Sequence, residues 1–465
     1  MPSLPQLCAR YHNEDVHTEH VAALAVHLFD ATHRWLGLSG RERRLIEAAA
    51  RLHDVGYSVD PAKHPARSAA IVRRVRLSGF SRAQRRVMAA AIPFHSGNWT
   101  DALQLPHRES ALAAFVRVAD GLDHGHMQDA AIMEVKRADQ TIRVAVQSPH
   151  FSFNITRANQ KADLWRALFP VNIHFVAAPV RDPQPLVRAD MPVGEAARRL
   201  MSLQFKTITS NVDGAATGES PEPLHDIRVA IRRLRLLLRV FRKHLPKSSR
   251  KPIDAALQQL NRDLGPARDL DVWVEFLESP LIQPTMAHSR LWRTFLGHQR
   301  QRRSLRQVTV RRCLRGAHFA AVRRRLAWLL RVELPRLTRV EPTGNLAKLA
   351  TKNLEKELRQ ALKLGRLRHS DDPDELHRLR IALRRTRYLG EFFGPRLGPA
   401  TEKLTRRVHA TERALGRIHD VDTGLERVRH EGPVPPRALV ENLQARRREQ
   451  LQKLDAAWAR LRSRP

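Results

Sequence analysis

Two sets of residues in this chain have the types and spacing to do chemistry. The first is a column of basic side chains: His225, Arg228, Arg232, Arg235, Arg239 and Arg242 follow steps of three and four, the spacing that puts side chains on one face of an α-helix. His377, Arg380, Arg384 and Arg387 keep the same rhythm, and Glu391 stands where the first column has Arg239. Like charges at i and i+4 destabilise a helix by roughly 0.2–0.5 kcal/mol per pair, so such a column makes physical sense when an anion neutralises it. Guanidinium groups suit that task because their planar fork holds phosphate oxygens bidentately and stays charged at any physiological pH. The competing reading is a solvated face on which arginines happen to align, and recurrence of the column with a histidine opening each copy argues against it. The second set lies in the first 120 residues, where His17, the pair His53-Asp54 and Asp120 fall on successive predicted helices. An adjacent His and Asp can both reach one ion near a helix end.

These residues need elements to hold them. At 465 residues the chain exceeds what one hydrophobic core usually organises. Its formal charge of +35 is unevenly spread: residues 1–190 carry +6 and the remainder +29, so a polyanionic partner belongs to the second part. The proline-rich stretch 180–194 coincides with this shift and reads as an interdomain boundary. The expected organisation is a first domain over 1–180, a linker over 181–193 and a second domain over 194–465. In the first domain, Ser39 with Glu42 and Ser81 with Gln84 have capping-box spacing. Alternation of Ile142, Val144 and Val146 predicts a strand, with 151–155 and 171–176 as candidate partners. The first domain is therefore expected to be mainly helical with a small αβ appendage near 130–178.

The second domain repeats itself. LHDIRVAIRRLRLLLRVF from Leu224 matches LHRLRIALRRTRYLGEFF from Leu376, and LGPARDLDVW from Leu264 matches LGRIHDVDTG from Leu415, at nearly one offset. Ser220-Pro221 and Asp372-Pro373 each place a capping side chain before a proline suited to the first helical position. The expectation is a pair of helical bundles related by pseudo-twofold symmetry. Arg268-Asp269 with Asp271, and His419-Asp420 with Asp422, follow a glycine predicted to end the preceding helix. Their carboxylates either orient the stripe or cap the next helix.

Composition narrows the partners. No run of about 18 apolar residues appears, and the N-terminus lacks a basic flank and apolar stretch, so a cytoplasmic protein with no membrane association is expected. Cys8 and Cys313 fit neither a disulfide framework nor a zinc spacing. Aromatics make up only 5% of the chain, few for the base-stacking platforms of single-stranded nucleic-acid binders, so nucleic acid is the less favoured partner.

With these residues in place, 194–465 resembles the CHAD domain, the conserved-histidine α-helical domain. Its His-x-x-Arg-x-x-x-Arg-Arg signature stands as His225, Arg228, Arg232 and Arg233, and again as His377, Arg380, Arg384 and Arg385. The resemblance implies binding of inorganic polyphosphate in a basic channel between two helical bundles, with Arg235, Arg239 and Arg387 as further ligands and polyphosphate granules as a destination. HTEHVAALA at His17, ARLHDVGY around His53 and RVADGLDHG around Asp120 resemble an HD domain. LHDVGY, SGFSRAQ, RVADGLD and KADLWRALF narrow the likeness to the C-terminal part of the exopolyphosphatase and guanosine-pentaphosphate phosphatase family. That family's actin-like catalytic domains have no counterpart here. The resemblance implies that His17, His53, Asp54 and Asp120 bind a divalent metal, that Asp54, His64 and His95 serve catalysis, and that the domain is a metal-dependent phosphohydrolase acting on a small phosphoester. Mixed imidazole and carboxylate donors suit Mn²⁺, Fe²⁺, Ni²⁺, Co²⁺ or Zn²⁺, with Mg²⁺ a further candidate. The alternatives are a non-catalytic polyphosphate-binding scaffold and a nucleic-acid-binding protein; the sequence fixes no oligomeric state.

Overall fold

Apolar residues recur every three to four positions along most of the chain, and helices follow. The computed structural model describes residues 1–463 apart from 12–15, 127, 149–152, 180–185, 189–190, 280–288, 336, 338–344 and 431–436. Much of the expected linker, 181–193, thus lies outside the described residues. The chain divides into two compact units: Met1–Leu186 with Ala327–Arg336, and Val187–Leu326 with Leu337–Pro465.

Unit 1 begins with α1 (Leu4–Arg10), α2 (Val16–Thr32), α3 (Arg43–Leu52), α4 (His64–Arg74), α5 (Arg82–Ala91) and α6 (His107–Leu122). Every residue of α6 from Ser110 to Leu122 is buried, which makes it the central helix. Ser81 and Gln84 form the capping box of α5. Ser39 does not form one: it accepts from Arg41 N in the 3₁₀ turn Gly40–Glu42, and Glu42 reaches Arg108 instead, 3.2 Å away.

Strands β1 (Ala131–Ala138), β2 (Thr141–Gln147) and β3 (Asn172–Ala177) form one sheet in that order, β1 antiparallel to β2 and β2 parallel to β3. Ile142, Val144 and Val146 all face the core, as their alternation requires. The expected strand at 151–155 is not one. Residues 151–152 lie outside the described set, and α7 (Phe153–Lys161) begins at Phe153. Tertiary bonds decide this: Asn154, buried, accepts from Gly125 N, and Asn159 accepts from Phe175 N and donates to Phe175 O, docking α7 on β3. β1 takes the pairing place instead. A short α8 (Asp163–Leu168) follows α7.

Unit 2 contains α9 (Val193–Ser210), α10 (Val212–Thr217), α11 (Glu222–Val240), α12 (Lys247–Leu277) and α13 (Arg290–Arg315). After α14 (Ala317–Trp328), which belongs to this unit as far as Leu326, come α15 (Leu346–Leu364), α16 (Pro373–Leu397), α17 (Pro399–His430) and α18 (Arg437–Arg462). Asp372 caps α16 through Asp374 N as expected, whereas α11 begins at Glu222, so Pro221 stands at its N-cap and not at the first helical position, with Ser220 accepting from Glu222 N just before it. The repeats share a core in which Leu270, Trp273 and Leu277 of α12 meet Val421, Leu425 and Val428 of α17. The glycines expected to end helices do not. Gly265 and Gly416 lie inside α12 and α17, which run on through them. A Cβ at Gly265 would sit 3.7 Å from the Arg228 guanidinium, and one at Gly416 3.7 Å from that of Arg380, ordinary contact distances, so each glycine lies beside a stripe arginine with room for a methyl group. A lost helix propensity of about 1 kcal/mol does not break a long helix that is held by its tertiary packing.

Candidate functional site

In unit 2 the basic faces of α11 and α16 turn towards one another across a cavity of about 1270 Å³, walled further by α12 and α17. His225, Arg228, Arg232, Arg235 and Arg239 line it from one repeat, and His377, Arg380, Arg384 and Arg385 from the other. Twelve arginines in all line the cavity against four carboxylates, so its field is cationic. Arg228 is braced by donating to Gly265 O at 2.6 Å and lies 3.2 Å from Asp269; Arg235 donates to Asp254 at 2.7 Å.

The crowding is visible in the titration of the groups. Burial, with the charges of Arg232 and Arg380, pushes Arg384 down to about 10. Burial, with Arg380, His377 and Arg384, pushes His419 down to about 4. His225 and His377 are lowered too, by burial and then by neighbouring arginines. A polyanion in the cavity reverses the electrostatic part of each of these shifts.

In unit 1, His17 opens the described part of α2, His53 and Asp54 follow α3, His64 opens α4, His95 ends the 3₁₀ turn Ile92–His95, and Asp120 sits in the last turn of α6. His53 Nδ1 meets Ala50 O at 2.6 Å, His64 Nδ1 meets Pro61 O at 2.9 Å, and His95 Nδ1 meets Ile92 O at 2.7 Å. A carbonyl can only accept, so each Nδ1 carries a proton and each Nε2 faces inward. His17 Nδ1 lies 2.8 Å from Asp123 Oδ2, the carboxylate–histidine arrangement that orients metal ligands.

The inward atoms converge. His64 Nε2 and His95 Nε2 are 3.3 Å apart and lie 3.2 and 3.5 Å from Asp54 Oδ1. His53 Nε2 is 3.7 Å from Asp54 Oδ2 and 3.9 Å from Asp120 Oδ1, and His17 Nε2 is 3.4 Å from Asp120 Oδ1. Ligand atoms of His17, His53 and Asp120 all lie within 4.8 Å of one another, as do those of His53, Asp54 and His95. His53 Nε2 is buried and has no hydrogen-bond partner among the described residues. Inward Nε2 atoms beside carboxylate oxygens are donor types that fit a cation bonded at about 2.0–2.2 Å.

Burial opposes charge on His17, but Asp120 and Asp123 outweigh it and raise this imidazole to about 10, whereas His53 is pushed by burial down to about 4. Burial would raise the carboxyls of Asp54 and Asp120, yet the histidines around Asp54, and Lys161 with His17 at Asp120, hold both well below the usual range. Lys161 Nζ pairs with Asp120 Oδ2 and donates to His95 O at 2.9 Å. This requires α7 to lie close on α6: a Cβ at Gly121 would sit 2.9 Å from Ala158 Cα.

Residues 199–429 match the CHAD domain family, and residues 1–154 match Ppx/GppA phosphatase, domain III. The chain joins a Ppx/GppA domain III to a CHAD domain. A crystal structure of the CHAD domain from the plant Ricinus communis is similar to it, with 23% identity, a TM-score of 0.48 and coverage of 62% of this chain and 98% of that one. PptA from Streptomyces chartreusis is similar at 15% identity and a TM-score of 0.41, covering 58% of this chain and 98% of that one.

Two of the arginines expected to hold the polymer, Arg233 of the signature and Arg387 beyond it, are placed outside the cavity lining. Arg233 pairs with Glu391 and lies 5.0 Å over the Tyr388 ring, and Arg387 reaches Glu391 at 2.5 Å and Glu412 at 3.3 Å. Glu391, read from the sequence as an interruption, is the anion that draws both aside. Asp271 and Asp422 likewise leave the stripe: each bonds an arginine of the next long helix at 2.7 Å, Arg303 and Arg447 respectively. Arg250, Arg417, Arg427 and Arg446 line the cavity unannounced by the stripe, and only Arg417, inside the repeated block, had a signal in the sequence. In domain III the structure gathers His64 and His95 into the same cluster as His17, His53, Asp54 and Asp120. Lys161, Asp123 and His126 join it without having been singled out. The His126 ring stacks on His17 with centroids 3.7 Å apart.

Proposed function

We propose that the CHAD domain binds inorganic polyphosphate in the cavity between its repeats and thereby tethers domain III, acting as a metal-dependent phosphohydrolase, to the polymer. The observation carrying the first half is the inward convergence of half-buried, mutually repelling arginines from both repeats. Such a field favours a flexible chain of phosphates, which asks only for charge and guanidinium forks, over a nucleic acid whose bases seek stacking partners. No described helix is long and apolar enough to cross a membrane. The reading puts the protein in the cytoplasm, at polyphosphate granules.

For domain III, His17, His53, Asp54 and Asp120 would hold one divalent ion, of Mn²⁺, Fe²⁺, Ni²⁺, Co²⁺, Zn²⁺ or Mg²⁺, which supplies an activated water and polarises a phosphoryl oxygen. Ala50 O and Asp123 fix the ring orientations of His53 and His17. Asp54 holds His64 and His95 at one carboxylate oxygen, and either imidazole can hold a proton at Nε2 for a leaving oxygen. Tethering raises the effective concentration of phosphate-bearing substrate near this centre. A second reading, a non-catalytic scaffold, draws support from Lys161 and the charged His17, which already place positive charge among the carboxylates.

The deciding experiment is competition between polyphosphate and single-stranded DNA at one salt concentration, run beside elemental analysis and a phosphomonoester assay. Preference for polyphosphate, bound metal and turnover are expected. Equal affinity for DNA sinks the first half, and absence of metal after reconstitution leaves the scaffold.

A further inference from the structure

Domain III does not complete its own centre. The segment Ala327–Arg336, which in the chain separates the two CHAD repeats, packs as part of unit 1. Its core is a π-helical turn, Leu329–Glu333, with Leu329, Leu330 and Val332 buried. Such turns are rare and are frequently found at functional sites. Here the side chain presented is Arg331. Its Nη1 lies 3.7 Å from Asp54 Oδ2, its Nη2 lies 2.5 Å from His126 Nε2, and its guanidinium carbon stands 4.7 Å over the Tyr57 ring. His126 is held for this by a left-handed backbone, φ 55°, that non-glycine residues rarely adopt.

We infer that Arg331 binds the phosphoryl group of the substrate at the domain III centre, an arginine delivered by the CHAD half of the sequence to a site whose other ligands lie within the first 120 residues. The inference rests on the metal reading above. Three observations support it together: the guanidinium is fixed by an aromatic face and an imidazole, contacts Asp54 on the oxygen opposite to the one facing His64 and His95, and keeps about a quarter of its side-chain surface open. A side chain meant only to neutralise Asp54 would be drawn into direct hydrogen bonding. At 3.7 Å it is an ion-pair neighbour of Asp54 without a hydrogen bond to it, and part of its surface stays open. The guanidinium so placed can give a charge-assisted hydrogen bond to a phosphoryl oxygen beside Asp54.

The test uses the full chain loaded with Mn²⁺ and inorganic phosphate as probe, because paramagnetic broadening of the ³¹P line reports only phosphate beside the ion and ignores phosphate in the CHAD cavity. Arg331→Ala should leave metal content unchanged and weaken this broadening and the phosphomonoester KM by about ten- to hundredfold, the effect of losing a hydrogen bond to a charged group. Arg331→Lys, which keeps charge without the fork, should fall between, and it carries the test if the alanine variant melts early. Unchanged broadening with metal retained overturns the role of Arg331 alone. Raised turnover in Arg331→Ala also overturns it, marking the residue as a block on the centre. Failure of the unaltered chain to take up Mn²⁺ overturns the metal reading, and this inference with it.

Discussion

The two sites handle charge in opposite ways. Domain III balances charge at close range: buried carboxylates face histidines that are neutral or paired, Lys161 closes one side, and each ring is locked through a backbone carbonyl or carboxylate. The CHAD cavity leaves charge unbalanced, with arginines pressing on one another and three histidines kept neutral. A closed, balanced cluster is organised to fix one small species. An open, repelling cavity stores electrostatic work that a long anion releases, at little cost in geometric precision. On the proposed reading, the chain separates holding a polymer from acting on a phosphoester.

Breaking one site while sparing the other tests this division. The largest effect is expected from Asp54→Ala, which should abolish metal uptake by elemental analysis and any phosphomonoester turnover, yet leave polyphosphate affinity unchanged. Next, Arg228→Glu with Arg232→Glu should weaken polyphosphate binding by about a hundredfold or more, since each lost or reversed charged contact is worth about 1.5–3 kcal/mol, while circular dichroism shows unchanged helix content. In that variant the metal content of domain III should be untouched.

The glycines sharpen the comparison. Gly121→Ala must push α7 off α6, so it should cost about 1–3 kcal/mol of stability. Gly265→Ala meets only ordinary contact distance to Arg228, so it should gain up to about 0.5–1 kcal/mol of helix propensity. Thermal unfolding of both variants checks the opposite signs. The smallest effect expected is on pH dependence. His225, His377 and His419 are lowered in the free protein by burial and by arginine charge, so they are neutral near pH 7. A bound polyanion raises them, protons are taken up on binding, and affinity should rise as pH falls from about 7 towards 5. Calorimetry in two buffers of different ionisation heat reads the proton uptake directly, and His419→Gln should reduce it.

Much of this was legible in residue order. The i, i+3, i+4 rhythm of His225 to Arg239 placed those side chains on one face because helical geometry allows no other outcome, and duplication located its counterpart at His377 to Arg385. The alternation of Ile142, Val144 and Val146 fixed a strand for the same reason. Three readings depended on local chemistry that longer-range contacts overrode. Phe153–Lys161 became a helix because Asn154 and Asn159 found partners on other elements, Gly265 and Gly416 lie within long packed helices that run on through them, and Arg233 and Arg387 were drawn to Glu391.

The sequence by itself determined periodicity, duplication, charge asymmetry and the order of ligand types, since all of these are properties of neighbours along a chain. Only the tertiary structure decided which charges met. It brought Lys161 to Asp120, stacked His126 on His17 and aimed Arg331 at Asp54 across 277 residues of chain. No local pattern encodes such encounters, because side-chain pairing across distant segments is set by how whole helices pack, and a pairing energy of a few kcal/mol acts only after that packing has brought the groups within reach.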